Sequence, residues 1–156
     1  MDWIIKRFEE LTPVEIYDII KLRLEVFIGE QGCSYEDLDD RDKTAYHLFL
    51  YDKDKVIAYC RILDAGVAYE ERSIGRVCVH KDFRNRGLAK EMMIKAIEFI
   101  KEQEENPVIK ISAQSYIIPF YESVGFHTVS DTYLEEGIEH KKMKWKQHNM
   151  ASQHNI

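Results

Sequence analysis

The stretch that decides the fold is Ser73–Ala89, which reads SIGRVCVHKDFRNRGLA. It begins with apolar and β-branched residues, including Ile74, Val77 and Val79, over a length typical of a β-strand. A charged turn follows, and after Gly87 the apolar residues recur at helical spacing. The stretch therefore predicts a strand, a turn and the start of a long helix.

The turn has the features of an anion-binding site. The free N–H groups at the start of a helix and the positive end of the helix dipole converge on one spot. Arg84 and Arg86 add positive charge there, and a guanidinium matches the geometry of phosphate oxygens. The turn therefore predicts an anionic ligand, for which phosphate groups are suitable.

Composition indicates a soluble globular protein with one domain. The 156 residues predict one domain, over residues 1–146, followed by a polar, frayed tail over residues 147–156. Charged residues make up 32% and apolar residues 45%, as in soluble proteins, and no apolar run is long enough for a membrane span. The net charge of −6 disfavours a nucleic-acid partner.

The cysteines and the amino-terminal sequence favour a cytoplasmic protein. Cys33, Cys60 and Cys78 have no metal-binding spacing and are odd in number, which favours reduced thiols. The first residues, MDWIIKRFEEL, lack the layout of a signal peptide. We expect no metal ion and no membrane partner.

The first helix has a clear start. Thr12 is the expected N-cap, Pro13 the first helical residue and Glu15 the partner that closes a capping box. Gly29 is expected to end this helix, and the acidic segment Glu30–Lys43 is expected to form a loop or short helix over a site.

The remaining elements follow from apolar patterning and from turn residues. Two helices are expected, one after Gly87 and one starting at Ile118. The expected strands are Trp3–Phe8, Ala45–Tyr51, Val56–Leu63, the strand within Ser73–Ala89, Val108–Ser112, Thr128–Leu134 and His140–Trp145. The predicted order is β-α-β-β-β-α-β-α-β-β.

Several motifs resemble one superfamily. Arg84-x-x-Gly87-x-Ala89 after a strand resembles the pyrophosphate loop of GNAT N-acetyltransferases, and Tyr121-x-x-x-Gly125-Phe126 resembles their Tyr-x-x-x-Gly-Phe segment. Three further groups of residues resemble the ElaA-like subgroup. They are Leu22-Arg23 with Val26-Phe27 and Glu30-Gln31-Gly32, then Ile74-Gly75-Arg76-Val77, then Gly137-Ile138 with His140 and Met143.

This resemblance implies the fold and the cofactor. The fold is α+β, layered α/β/α, with a mixed and mostly antiparallel sheet of about seven strands and helices on both faces. The co-substrate is acetyl-CoA. The cofactor-binding residues implied by the resemblance are Val77, Cys78 and Val79 for the pantetheine arm, Arg84, Asn85, Arg86, Gly87, Leu88 and Ala89 for the diphosphate, and Gln114 at the end of the next strand.

Some of these residues have alternative interpretations. Val77 and Val79 are also typical core residues, and Gln114 is equally well a polar cap at a strand end. Tyr121 matches the tyrosine that protonates the leaving CoA thiolate, although its spacing also suits core packing. For Cys78, strand packing is favoured over a nucleophilic role.

The residues that handle the acceptor are less defined. Glu30, Asp39, His47 and His140 are candidates for a general base, and Glu30 and Gln31 are candidates for orienting the amine. Arg23, Arg61 and Arg76 either bind a substrate carboxylate or pair with the acidic segment. The substrate-site prediction comprises Glu30, Gln31, Arg76 and His140.

The expected function is acetyl transfer from acetyl-CoA to a primary amine of a small molecule or protein, by direct attack in a ternary complex. Two alternatives stay open: an acyltransferase similar to acyl-homoserine-lactone synthases, and an acyl-CoA sensor without turnover. The paired carboxy-terminal strands make a homodimer a further expectation.

Overall fold

The computed structural model describes residues 2–32 and 36–147. The strands are β1 (Trp3–Arg7), β2 (Tyr46–Asp52), β3 (Lys55–Leu63), β4 (Ser73–Val79), β5 (Val108–Gln114), β6 (His127–Thr128), β7 (Tyr133–Glu135) and β8 (Ile138–Lys146). The α-helices are α1 (Pro13–Arg23), α2 (Leu88–Gln103) and α3 (Ile118–Ser123). Cys33 and residues 148–156 of the expected tail lie outside the described residues.

The strands form two four-stranded sheets that lie side by side. β1, β2, β3 and β4 pair in that order, and β8 pairs with β5, β6 and β7. The two sheets meet at the start of β4, where Arg72 and Ile109 form a parallel bridge and Lys110 N donates to Arg72 O at 2.8 Å. The predicted α+β class is confirmed.

The expected strand Thr128–Leu134 is divided in two. Between β6 and β7, the side chain of Ser130 accepts from Lys142 N at 2.8 Å, and Val129 N donates to Lys142 O at 2.9 Å. A side-chain oxygen thus replaces the strand partner at this point. The prediction of one continuous strand was therefore wrong.

Helices cover both faces of the first sheet because successive side chains of a strand point to opposite faces. Leu48 and Leu50 of β2 pack in the cluster that contains the buried side of α2, whereas Phe49 packs in the cluster that contains α1. The buried residues of α2 are Met92, Met93, Ala96, Ile97 and Ile100.

The start of α1 is as predicted, but its end is not. Thr12 Oγ1 accepts from Glu15 N at 3.1 Å, and Glu15 Oε1 accepts from Thr12 N at 2.8 Å. The helix passes through Gly29 as a π-helical segment, Leu24–Glu30, in which Gln31 N donates to Val26 O at 3.1 Å. This wider turn is often found at functional sites.

In the part of the chain that the structure describes, no helix has the length and apolar character of a membrane span.

Candidate active site

A groove of about 680 Å³, which we call the β4–β5 groove, is lined by the end of β4 and by the segment that follows β5. One wall is the edge of β4 at Val77, Cys78 and Val79, and the facing wall carries Tyr116 and Phe120. The start of α2, with Gly87, Leu88 and Ala89, closes one end. A free strand edge in such a groove can pair with an extended amide-containing ligand.

A bulge lies in β4 beside this groove. The register between β3 and β4 shifts between Tyr59 and Arg61, and Arg76 has a left-handed φ of 51°. A bulge bends its strand and increases its twist. The bulge in β4 lies between the parallel bridge to β5 and the residues that line the groove.

The start of α2 presents free backbone donors. Gly87 has a φ of 76°, a conformation that side chains disfavour, and it is followed directly by the first helical residue, Leu88. Glu91 N makes the first intrahelical bond, to Gly87 O at 3.0 Å. The N–H groups of Leu88, Ala89 and Lys90 thus precede the helical ladder, which makes them available to an anion.

The two arginines of the loop have different surroundings. Arg84 Nε donates to Val79 O at 3.0 Å, and its Nη2 donates to Glu30 Oε2 at 2.6 Å. The guanidinium of Arg86 lies 5.0 Å from the centre of the Phe83 ring, on the solvent side. Glu30, predicted for the acceptor site, therefore lies in the β4–β5 groove as the partner of Arg84.

A second cavity of about 290 Å³, the acceptor cleft, adjoins the groove. Gln31, Val77, Tyr116 and Ile117 line both cavities, which therefore lie side by side. The other polar residues lining the acceptor cleft are Arg41, Arg61, Tyr69, Ser73, Arg76, Ser112, Gln114, Tyr121, Glu135 and His140.

Tyr121 reaches the acceptor cleft from α3. Its ring packs edge-on against Phe120 and Phe126, with centroid distances of 5.2 and 5.8 Å. Burial raises the pKa of Tyr121 above its usual value, so the phenol keeps its proton at neutral pH. Tyr121 packs on the core and also lines the cleft, and its role as a proton donor stays a prediction.

His140 lies in a polar cluster on the wall of the acceptor cleft. Its Nδ1 is 2.7 Å from Ile138 O, and its Nε2 is 3.2 Å from Glu135 Oε2. The Tyr133 ring stacks on the imidazole at 6.0 Å, and the Tyr133 hydroxyl contacts Ser112 Oγ. The carbonyl is an acceptor only, so it fixes a proton on Nδ1.

Sequence reasoning missed the partners of His140. Glu135, Ser112 and Tyr133 belong to β7 and β5, which lie on either side of β8. The hairpin at Glu135-Glu136-Gly137 was the available signal, because it returns the chain beside His140.

The opposite wall of the cleft is held by a buried charge network. Arg23 donates to Asp37 Oδ2 at 3.0 Å and to Asp42 Oδ1 at 2.8 Å, and only 1% of its side chain is exposed. Arg61 and Arg76 also pair with aspartates of this segment. Arg61 Nη1 lies 2.5 Å from Asp39 Oδ1 and 3.0 Å from Asp42 Oδ1. Arg76 Nε lies 3.1 Å from Asp37 Oδ1, and its Nη2 lies 3.4 Å from Asp39 Oδ2.

This network bears on several candidates at once. The three arginines pair with the acidic segment, which was the second of the two alternatives. Asp39 is held between Arg61 and Arg76. His47 is sealed in the interior, with Nδ1 2.6 Å from Tyr59 OH and Nε2 2.9 Å from Asp42 O, and burial lowers its pKa.

Burial also keeps the sulfur of Cys78 in its thiol form, since it raises the pKa of that residue well above its usual value. Among the described residues, no group of three or more His, Cys, Asp or Glu side chains is arranged to hold a metal ion.

Comparison with known proteins gives consistent matches. A family model described as "Acetyltransferase (GNAT) domain" matches residues 12–147. A Schizosaccharomyces pombe protein named UPF0039 protein C11D3.02c is 37% identical over 146 residues, which cover 92% of this chain and 96% of that protein.

Two solved structures are similarly close. An acyl-CoA N-acyltransferase from Pseudomonas aeruginosa matches with a TM-score of 0.86 at 32% identity, covering 93% of this chain and 99% of that one. Escherichia coli ElaA matches with a TM-score of 0.86 at 32% identity, covering 92% and 98%.

The CoA-dependent acyl-homoserine lactone synthase BjaI also matches, with a TM-score of 0.72, but at 14% identity, over 89% of this chain and 77% of that one. This likeness shows a common fold alone.

Proposed function

Because the chain belongs to the GNAT acetyltransferase family, in which ElaA is a relative, we propose that it transfers an acetyl group from acetyl-CoA to a primary amine. The observation that carries the proposal is the adjacency of the two cavities. The β4–β5 groove is lined by the start of α2, and it shares Val77 and Tyr116 with the cleft that contains Tyr121.

The cofactor is held mainly by backbone in this proposal. The pantetheine arm pairs with the edge of β4 at Val77–Val79, and the diphosphate accepts from the first N–H groups of α2. Arg84 turns from Glu30 to the phosphates, because a diphosphate offers more charge than one carboxylate. Gln114 lies in the cleft, where its amide can contact the thioester.

His140 is the proposed proton acceptor. Glu30 and Asp39 pair with arginines and His47 is buried, whereas His140 lines the cleft, where its Nε2 lies beside the half-exposed carboxylate of Glu135. In this proposal the Glu135 carboxylate moves aside from Nε2, and a neutral imidazole with its proton on Nδ1 uses the Nε2 lone pair to take the proton of the incoming amine. Glu135 then stabilises the imidazolium, as a carboxylate does beside a catalytic histidine.

Tyr121 serves the leaving group. The amine nitrogen attacks the thioester carbonyl, the tetrahedral intermediate collapses, and the departing thiolate takes the phenolic proton. The oxyanion is stabilised by a backbone N–H of β4 near Val79. The Tyr121 phenolate then regains a proton and the His140 imidazolium loses one, by exchange with solvent, so the net products are an amide and the free CoA thiol.

We also propose a cytoplasmic location, because Cys60 and Cys78 are both buried as free thiols.

A thiol-release assay tests the reaction. The protein is mixed with acetyl-CoA and a panel of primary amines, thiol release is followed optically, and acetylated products are identified by mass. We expect amine-dependent release of the CoA thiol together with a product about 42 Da heavier than the amine, since an acetyl group replaces a hydrogen.

Two other outcomes separate the alternatives. Binding of acetyl-CoA without release for any amine would indicate a sensor. Release that instead requires S-adenosylmethionine, with formation of methylthioadenosine, would indicate the chemistry of the lactone synthases.

A further inference from the structure

A row of lysines extends from the acceptor cleft along β8. Lys142, Lys144 and Lys146 follow His140 at two-residue intervals, so all four side chains share one face of the second sheet. Lys110 of β5 lies directly opposite Lys144 in the register and joins the same face. We call Lys110, Lys142, Lys144 and Lys146 the lysine row.

The other face of this sheet is part of the core. Met143 of β8 and Ile109 and Ile111 of β5 are buried there, at the alternate positions of the same strands. The lysine row therefore lies on the face that the core does not cover.

Aromatic side chains hold the first lysines in place. Lys142 Nζ lies 4.9 Å from the centre of the Tyr69 ring, 4.7 Å from that of Tyr133, and donates to Tyr69 OH at 3.2 Å. Lys110 Nζ lies 5.2 Å from the Tyr69 ring. Rings leave the positive charge uncompensated, unlike a carboxylate. Among the described contacts of the row, one carboxylate pairs with it, that of Glu71, which lies 2.8 Å from Lys144 and also interacts with the charge of Lys110.

The row is continuous with the acceptor cleft. Tyr69 lines the cleft and also contacts two lysines of the row. Ser112, which lines the cleft, lies opposite Lys142 in the strand register. The positive surface thus begins at the rim of the cleft that contains His140.

We propose that the acceptor amine belongs to an acidic peptide segment, whose carboxylates lie along the lysine row while the amine enters the cleft. This inference rests on the proposed function and adds the class of substrate. The protein has a net charge of −6, so a row of four lysines contrasts with the negative charge of the protein as a whole. Such a local positive surface favours a negatively charged ligand.

The spacing favours an extended peptide. Side chains on one face of a strand repeat every ~6.8 Å, both in β8 and in an extended ligand, so alternate acidic residues match successive lysines. The chain's own residues 148–156 contain no Asp or Glu, which makes them a poor occupant of this surface.

Matched peptides test the inference. One has six residues of alternating alanine and glutamate with a free amino terminus, and its partner has glutamine in place of each glutamate. Each is also made with a blocked terminus and a single lysine as its first residue, to distinguish an α-amine from a lysine amine. We expect at least tenfold higher kcat/KM for the glutamate peptides at low ionic strength, with the ratio falling as salt is added.

A charge reversal provides the matched variant. In Lys144→Glu/Lys146→Glu, the preference for glutamate over glutamine is expected to disappear, and a peptide of alternating alanine and lysine is expected to become the better substrate. The control is Lys95→Glu/Lys101→Glu on the exposed side of α2, which makes the same change in net charge and is expected to keep the wild-type preference.

Several results would overturn the inference. Acetylation with equal kcat/KM for glutamate and glutamine peptides would remove it while leaving the proposed function intact, whereas no acetylation of any amine would remove the proposed function itself. A preference that survives the charge reversal would also refute it. The inference would likewise be refuted if the wild-type protein were a dimer that the charge reversal dissociates without a change in selectivity. It would also be refuted if an oligonucleotide inhibited acetylation of the other amines more strongly than the glutamate peptide does.

Discussion

The β4–β5 groove and the acceptor cleft lie side by side, but they are built in different ways. Most residues that line the groove lie between Val77 and Lys90, in one continuous part of the chain that contains the edge of β4 and the first turn of α2. The cleft is made of side chains supplied by separate segments and held by ion pairs. Under the proposed function, cofactor binding would thus depend mainly on one local motif, whereas acceptor binding would depend on long-range packing.

The largest expected effect is a loss of stability caused by a substitution in the wall of the acceptor cleft. Arg23→Met leaves Asp37 and Asp42 as buried carboxylates without their main partner, which costs about 3–5 kcal/mol in the free energy of unfolding. Denaturant unfolding measures this change. Acetyl-CoA affinity of the folded fraction should stay within about twofold, because the groove does not use Arg23.

Lys43→Met is the control for Arg23, because it removes a fully solvated ion pair with Asp40 in the same segment and should cost less than about 0.5 kcal/mol. Equal losses of unfolding free energy in Arg23→Met and Lys43→Met would contradict the claim that buried ion pairs hold the wall of the acceptor cleft.

Tyr121→Phe is expected to separate chemistry from binding. Removing the proton donor should lower kcat about 10²-fold, while the Kd of acetyl-CoA changes less than about twofold. Steady-state kinetics and calorimetry give the two quantities. Tyr17→Phe, on the exposed side of α1, should change neither. Full turnover by the Tyr121 variant would leave the proton-donor role without support.

Acid should weaken the wall of the cleft through Asp39. Burial raises the pKa of Asp39, but the hydrogen bond and charge of Arg61, together with Arg76, outweigh it and hold the pKa below its usual value. The folded form therefore gains stability above the unfolded pKa of about 3.9 and loses it as the pH falls through the lower, folded value.

Asp39→Asn should therefore be about 1 kcal/mol less stable than wild type at pH 7, and the difference should shrink towards zero at low pH. Unfolding curves across the pH range measure it. Asp40→Asn, whose carboxylate is 96% exposed, should show no such trend. A constant difference for Asp39 would contradict the role given to its ion pairs.

The smallest effect is expected at the boundary between the two cavities. Glu30→Gln frees Arg84 for the phosphates, and since an exposed ion pair is worth up to about 1 kcal/mol, acetyl-CoA should bind up to about fivefold more tightly. Glu36→Gln, which removes the same charge beside the cleft, should leave the Kd unchanged. Weaker binding by the Glu30 variant would indicate that this carboxylate supports the cofactor instead of competing for Arg84.

The two cavities also differ in how far the sequence predicts them. A strand, a turn with Gly87 and a helix follow one another directly in the chain, so their patterns predict both the elements and the anion site they form. The network of Arg23 with Asp37 and Asp42 joins residues that are far apart, and residue types alone left its pairing open.

Local patterns fail for a second reason at the carboxy-terminal strands. The position of Glu135 beside His140 depends on a hairpin register, and the break at Ser130 depends on one side-chain hydrogen bond. The apolar pattern of these segments predicts neither the hairpin register nor the break at Ser130, because both depend on polar interactions between chain segments.

Calorimetric titration of acetyl-CoA tests the central claim most directly, namely that the diphosphate binds where β4 passes into α2. We expect one cofactor per wild-type chain. Arg84→Glu/Gly87→Glu, verified as folded by circular dichroism, should bind at least about 100-fold more weakly, since it places two carboxylates against the phosphates. Unchanged affinity in the double variant would contradict the account.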